Sequence, residues 1–127
     1  MSNEATKSRF MGISAGESKK DYSERLFEFT EMVKEFLNTL PSSQEHGTII
    51  TGLSKCVSNL RTNNNDTRSG TSKAVFMDNA GILLRYMIET DCWLRIMKRH
   101  VNELNTADLD YLIRESVELK IILRSIA

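Results

Sequence analysis

KAVFMDNAGILLRYMIETDCWLRIMKRHVNEL, residues 73–104, decides the fold. Along it Phe76, Ala80, Leu83, Met87, Thr90, Leu94, Met97, Val101 and Leu104 recur at alternating spacings of four and three. An α-helix turns once every 3.6 residues, so side chains spaced in this way line one side of it and form a heptad-like seam. Without interruption such a helix runs to about 45 Å, longer than an ordinary globular helix. A break is therefore expected at Thr90 and Asp91, whose side chains are suited to capping a second piece. Ile82, Leu84, Tyr86 and Ile88 fall on other sides, which predicts a central helix buried all round at its middle.

The flanking segments read as further helices. C-terminally, Asn105 and Thr106 offer a cap, and Asp108 and Asp110 sit near the positive end of the dipole that follows. Leu109, Leu112, Ile113, Val117, Ile121 and Leu123 then give a core face that continues to Ile126, so this last helix either closes the bundle or joins a partner. N-terminally, TNNNDTRSGTS (62–72) holds no apolar side chain, and its Asn, Asp, Ser and Gly compete with regular backbone structure. It reads as an exposed, mobile loop, either a plain connection or a nucleic-acid or partner loop working through Arg61, Arg68 and Lys73. Before it, Ile49, Ile50, Leu53, Cys56, Val57 and Leu60 share one helical stripe, and this periodicity outweighs Gly47, Gly52 and the β-branched residues between them.

A first helix is expected from Asp21, which with Glu24 has the spacing of a capping box. Leu26, Phe29, Val33, Phe36, Leu37 and Leu40 form its apolar face, and Glu24, Glu28, Glu31 and Glu35 mark the opposite one. Pro41 ends it, and Ser42 with Glu45 repeats the capping arrangement. Residues 1–20 carry few apolar groups beyond Phe10, Met11 and Ile13, and read as a flexible arm. The expectation is an all-α protein: a compact four- to five-helix bundle over residues 21–127 behind that arm.

Composition narrows the function. The 127 residues hold 17 basic and 17 acidic side chains, a balance that excludes a protein whose whole surface binds polyanions but leaves room for a local patch. No run approaches the ~18 apolar residues of a membrane span, and the first residues lack a secretory apolar core, so the expected setting is intracellular, cytoplasmic or nuclear. Cys56 and Cys92 sit at apolar helical positions and read as small buried hydrophobes. With two histidines and no clustered cysteines there is no zinc-ligand spacing, and neither a phosphate loop nor a nucleophile elbow occurs. No metal or cofactor is expected.

One charged cluster remains, WLRIMKRH at residues 93–100. Arg95, Lys98 and Arg99 either complement the negative end of their helix or form a nucleic-acid-binding patch that contacts phosphates, with Arg85 beside them. The spacing of Arg95 and His100 resembles the Arg-x4–6-His signature of the HEPN family, small all-helical domains that are often dimeric ribonucleases. That resemblance covers six residues and implies His100 as the proton-transfer group at a 2′-hydroxyl, with Arg95 stabilising phosphorane charge.

The function expected from the residues is a non-enzymatic protein-interaction module: a small regulatory, adaptor or assembly factor, of the kind a virus or phage uses against a host factor. The alternatives are an RNA- or DNA-binding helical protein and a HEPN-like ribonuclease. The seam and the apolar C-terminal helix supply more apolar surface than one small bundle needs, so a homodimer is expected. Trp93, Met97, Val101, Leu104, Ile121 and Ile122 are the residues expected at protein interfaces.

Overall fold

A computed structural model describes residues 22–40, 46–68, 73–100 and 106–127. They form four helices: α1 (Tyr22–Asn38), α2 (Gly47–Arg68), α3 (Lys73–His100) and α4 (Thr106–Ile126). The arm at 1–20, the capping residues Asp21, Ser42, Glu45 and Asn105, Pro41, loop residues 69–72, Val101 and Leu104 lie outside the described residues.

Each helix packs on two neighbours, α1 on α2 and α4, and α3 on α2 and α4. The contacts fix opposite directions for neighbours. Asp91 of α3 meets Ser116 and Lys120 of α4, whereas Lys98, further along α3, meets Asp110, earlier on α4. The result is an up-down-up-down four-helix bundle in which α1 and α3 are diagonal. Its centre holds Leu26, Phe29, Val33 and Phe36 of α1, Leu53, Val57 and Leu60 of α2, Ala80, Leu83, Met87, Leu94 and Met97 of α3, and Leu109, Leu112, Leu119 and Leu123 of α4. Each fully buried Leu, Phe or Met contributes roughly 1.5–3 kcal/mol, the term that offsets chain ordering.

From Ala80 to Met97 the heptad-like seam is therefore the chain's own core. The break expected at Thr90 and Asp91 does not occur: α3 is one helix of 28 residues. Thr90 donates its hydroxyl to the Tyr86 carbonyl at 2.8 Å, inside the helix, and Asp91 is held by α4, so neither side chain caps a new helix. Nor is the middle of α3 buried all round, because Ile88 is exposed while Ile82, Leu84 and Tyr86 are half-buried.

The polar stretch at 62–72 is also corrected: its first seven residues, 62–68, continue α2 as helix. Asn64 supplies the reason. It is buried, accepts a hydrogen bond from the Ser23 hydroxyl at 3.1 Å and donates one to the Ser23 carbonyl at 2.9 Å. A helix propensity deficit of a few tenths of a kcal/mol per Asn yields to a doubly satisfied tertiary contact. Asn64→Ala is expected to cost about 1–3 kcal/mol in urea unfolding, with hydrogen exchange accelerated first in 61–68. Uniform acceleration along the chain would contradict this local role.

On α4 the core stripe departs from the apolar pattern. Asp108, Glu115 and Ser116 are buried beside Leu112 and Leu119, whereas Ile121 is 60% exposed and Val117 and Ile113 are half-buried. Two of these polar positions are answered by another helix: Ser116 donates to Asp91 of α3, and Glu115 is held from α1. Arg25 of α1 grips Glu115 through two bonds, Nη2 to Oε1 at 2.7 Å and Nε to Oε2 at 3.2 Å. The Glu115 hydrogen bond holds the Arg25 guanidinium above its ordinary basicity. Among the described residues no helix is long and apolar enough to cross a membrane.

Candidate interaction surface

The side chains singled out by sequence separate into buried structural groups and one exposed face. Asp91 is the hub of the first set. Its carboxylate is buried and accepts hydrogen bonds from Lys120, from Arg95 Nε at 2.9 Å and from the Ser116 hydroxyl at 3.1 Å. Burial alone raises the carboxyl's proton affinity. The hydrogen bonds from Lys120 and Arg95, with the attraction of those two cations, outweigh it and hold Asp91 below the ordinary carboxylate range.

That hub reinterprets the basic cluster. Arg95 is exposed but paired in part with Asp91, and Lys98 ties α3 to α4 through Asp110 at 2.5 Å. Arg99 and His100 are exposed at the end of α3. Because α3 continues as helix through His100, the five residues separating it from Arg95 rotate it by about 140°. The two side chains thus leave one helix from different sides.

The expected interface residues also divide. Met97 is fully buried in the core and does not reach the surface. Trp93 is half-buried and packs on the core, with its indole seated where a side chain at Gly52 would stand. Ile121 is exposed and Ile122 half-buried. Of the cysteines, Cys56 is buried as expected, but Cys92 is exposed. Burial, with the Glu89 carboxylate 3.5 Å from the sulfur, pushes the Cys56 thiol up to about 11, which keeps it protonated and inert at neutral pH.

Two depressions along α2, one by Ile50, Ser54 and Ser58 and one by Thr48, Gly52 and Trp93, share Lys55 as their single ionisable side chain. An acid–base pair needs two such groups. Among the described residues no three His, Cys, Asp or Glu side chains gather to hold a metal.

The outward side of α3 stands out instead. Gly81, Arg85, Ile88, Cys92, Arg95 and Arg99 are all exposed, at spacings of four and three that mirror the seam on the opposite side. Met77, 43% exposed, and Ile96, 39%, flank the row, and Ile88 within it is also 39% exposed. Sequence reading missed this face by assigning Ile88 and Cys92 to the interior. The signal was present: Arg85, Arg95 and Arg99 fall in the same helical row, and a row holding three arginines faces water.

No protein-family model matches the sequence, and no curated protein matches it. A solved structure with a similar fold is a protein of unknown function from the S23 ribosomal protein family of Bacteroides thetaiotaomicron, with a TM-score of 0.69 and 18% sequence identity, covering 84% of this chain and 97% of that one. The likeness extends to the four-helix architecture.

Proposed function

We propose that this chain is a non-enzymatic, intracellular interaction protein, a small regulatory, adaptor or assembly factor that presents the outward face of α3 to another protein. The observation that supports it is the placement of exposed apolar groups. Of the four large ones among the described residues, Met77, Ile88 and Ile96 lie on α3 and Ile121 on α4. Interleaved with Arg85, Arg95 and Arg99, they give the mixture of arginine and apolar side chains typical of protein interfaces.

A second reading, binding to a nucleic-acid backbone, draws on the same arginines, and the structural neighbour's family carries a ribosomal name. Counting against it, Asp91 and Asp110 partly neutralise Arg95 and Lys98, Asp78 and Glu89 are exposed on the same helix, and isoleucines add nothing to phosphate recognition.

The test compares wild type with Ile88→Asp/Ile96→Asp in affinity capture from nuclease-treated lysate. Each change removes a side chain that is 39% exposed and is expected to cost about 1–2 kcal/mol, so the variant is first checked for native helicity. Proteins captured by wild type should be lost from the variant. Identical capture by both rejects the reading, and capture that nuclease alone abolishes transfers the face to nucleic acid.

A further inference from the structure

We propose that the strip between α3 and α4 on which Ile88 and Ile121 are exposed takes an acidic amphipathic helix of another protein, its carboxylates paired with arginines on either side of an apolar middle. The proposal rests on the reading of α3 as a protein-binding face and names the chemistry of what binds there.

The register of the two helices builds the site. On α3, Leu84, Ile88, Asp91, Arg95 and Lys98 recur at spacings of four and three, and Asp91 and Lys98 reach α4, so Ile88 and Arg95 border that helix. On α4, Asp110, Ile113, Val117, Lys120 and Arg124 recur in the same way, and Asp110 and Lys120 reach α3. Asp91 sits between the levels of Ser116 and Lys120, and Lys98 sits at that of Asp110, which fixes the antiparallel alignment to about one residue. Ile88 is then level with Ile121, Arg85 with Arg124, and Arg95 with Arg114. Two arginine levels about 15 Å apart bracket an apolar one, to which the half-buried Ile113 and Val117 add surface.

Once internal pairs are set aside, the strip is positive. Asp91 is taken by Lys120 and Arg95, Asp110 by Lys98, and Glu118 by Arg25 of α1. The exposed carboxylates of α3 lie off the strip. Glu89 turns toward α2, its Oε2 3.5 Å from Cys56 Sγ, and Asp78 precedes Arg85 by about 10 Å. Arg85, Arg114 and Arg124 are exposed and make no ion pair among the described residues. Arg95 contributes a positioned donor. Its Nε is tied to the buried Asp91 at 2.9 Å, so the guanidinium, on a side chain 56% exposed, keeps both Nη groups for an incoming carboxylate.

Sign and spacing together specify the occupant: discrete carboxylates about 15 Å apart with bulky apolar groups between them, which one helix supplies from acidic residues ten to eleven positions apart. A nucleic-acid strand carries a charge at every nucleotide and would set phosphates on the isoleucines. A second copy laid face to face would set arginine against arginine.

The test is isothermal titration of the full chain with an alanine-based 18-residue peptide carrying Glu at positions 3, 4, 14 and 15 and Leu at 7, 10 and 11. Arg85→Glu/Arg124→Glu and Ile121→Asp are titrated beside wild type, each first checked for helicity. Wild type should bind this peptide and bind its Gln analogue at least about tenfold more weakly. Ile121→Asp should lose at least about tenfold in affinity, and Arg85→Glu/Arg124→Glu should prefer a peptide with Lys at the four Glu positions. The inference is overturned by equal binding of the Glu and Gln peptides, by no binding up to about 1 mM, or by Ile121→Asp binding as wild type does. Tighter binding of single-stranded RNA or of phosphatidylserine vesicles than of the peptide overturns it as well. In those cases the α3 reading is judged separately by the Ile88→Asp/Ile96→Asp capture: proteins lost from that variant but retained by Arg85→Glu/Arg124→Glu use the face without acidic recognition.

Discussion

Asp91→Ala should destabilise the bundle by about 3–5 kcal/mol, a large part of the stability of a domain this size. The carboxylate is the counter-charge for Lys120, whose side chain is 16% exposed, and it also orients Arg95 and accepts from Ser116. Removing it leaves an ammonium group mostly out of water with no anion, and that uncompensated desolvation sets the size of the effect. The net worth of the intact pair is smaller. Asp91→Leu/Lys120→Met, which removes both charges, should recover most of the loss and fall within about 1–2 kcal/mol of wild type in denaturant unfolding. A double variant as unstable as Asp91→Ala would show that packing, not charge, dominates at the site.

The same group sets a pH dependence with a definite sign. Its folded-state proton affinity lies below the ordinary value, so the unfolded chain binds a proton there first as pH falls. The contribution of Asp91 is fully present above its unfolded value, near pH 4, and is lost as pH drops through the lower folded value. The stability gap between wild type and Asp91→Leu/Lys120→Met should be flat from about pH 5 to 8 and shift against wild type below about pH 4. A gap that moves near neutrality would assign the linkage to another group.

These buried polar contacts mark the limit of what the sequence discloses. The seam of α3 and the apolar faces of α1 and α2 were legible because a 3.6-residue period is a local property, carried by neighbours on one element. Asp91 and Asn64 misled for the complementary reason. Capping and turn residues earn that reading by satisfying local backbone groups. Here Asp91 finds partners 25 and 29 residues away, and Asn64 finds Ser23, 41 residues away. No local window contains those partners. On α4, Glu115 occupies a core position because Arg25 reaches it from α1, and Ile121 is displaced outward by the same choice of face. The outward row of α3 was readable in principle from its arginines.

Gly52→Ala should destabilise by about 1–3 kcal/mol, against the ordinary trend for a glycine inside a helix, where alanine gains about 1 kcal/mol. A Cβ at this position would stand 2.8 Å from Cη2 of Trp93 and closer still to Cζ2 and Cε2. Those are ring atoms, not the end of a flexible chain, so the indole must turn or α2 and α3 must separate. Gly81 is the internal control. It is also helical, but a Cβ there meets nothing within 4 Å, and Gly81→Ala should stabilise by up to about 1 kcal/mol. If the cost at Gly52 comes from the ring, it should depend on the ring: in the Trp93→Leu background, Gly52→Ala should approach neutrality, a coupling of at least about 1 kcal/mol in a double-mutant cycle. Additive effects, or stabilisation at Gly52 equal to that at Gly81, would mean that the close approach of α2 and α3 is not held by Trp93. Coupling of the expected size would make Trp93 a spacer between the two helices, fixing the orientation in which α3 turns Arg85, Ile88 and Arg99 outward.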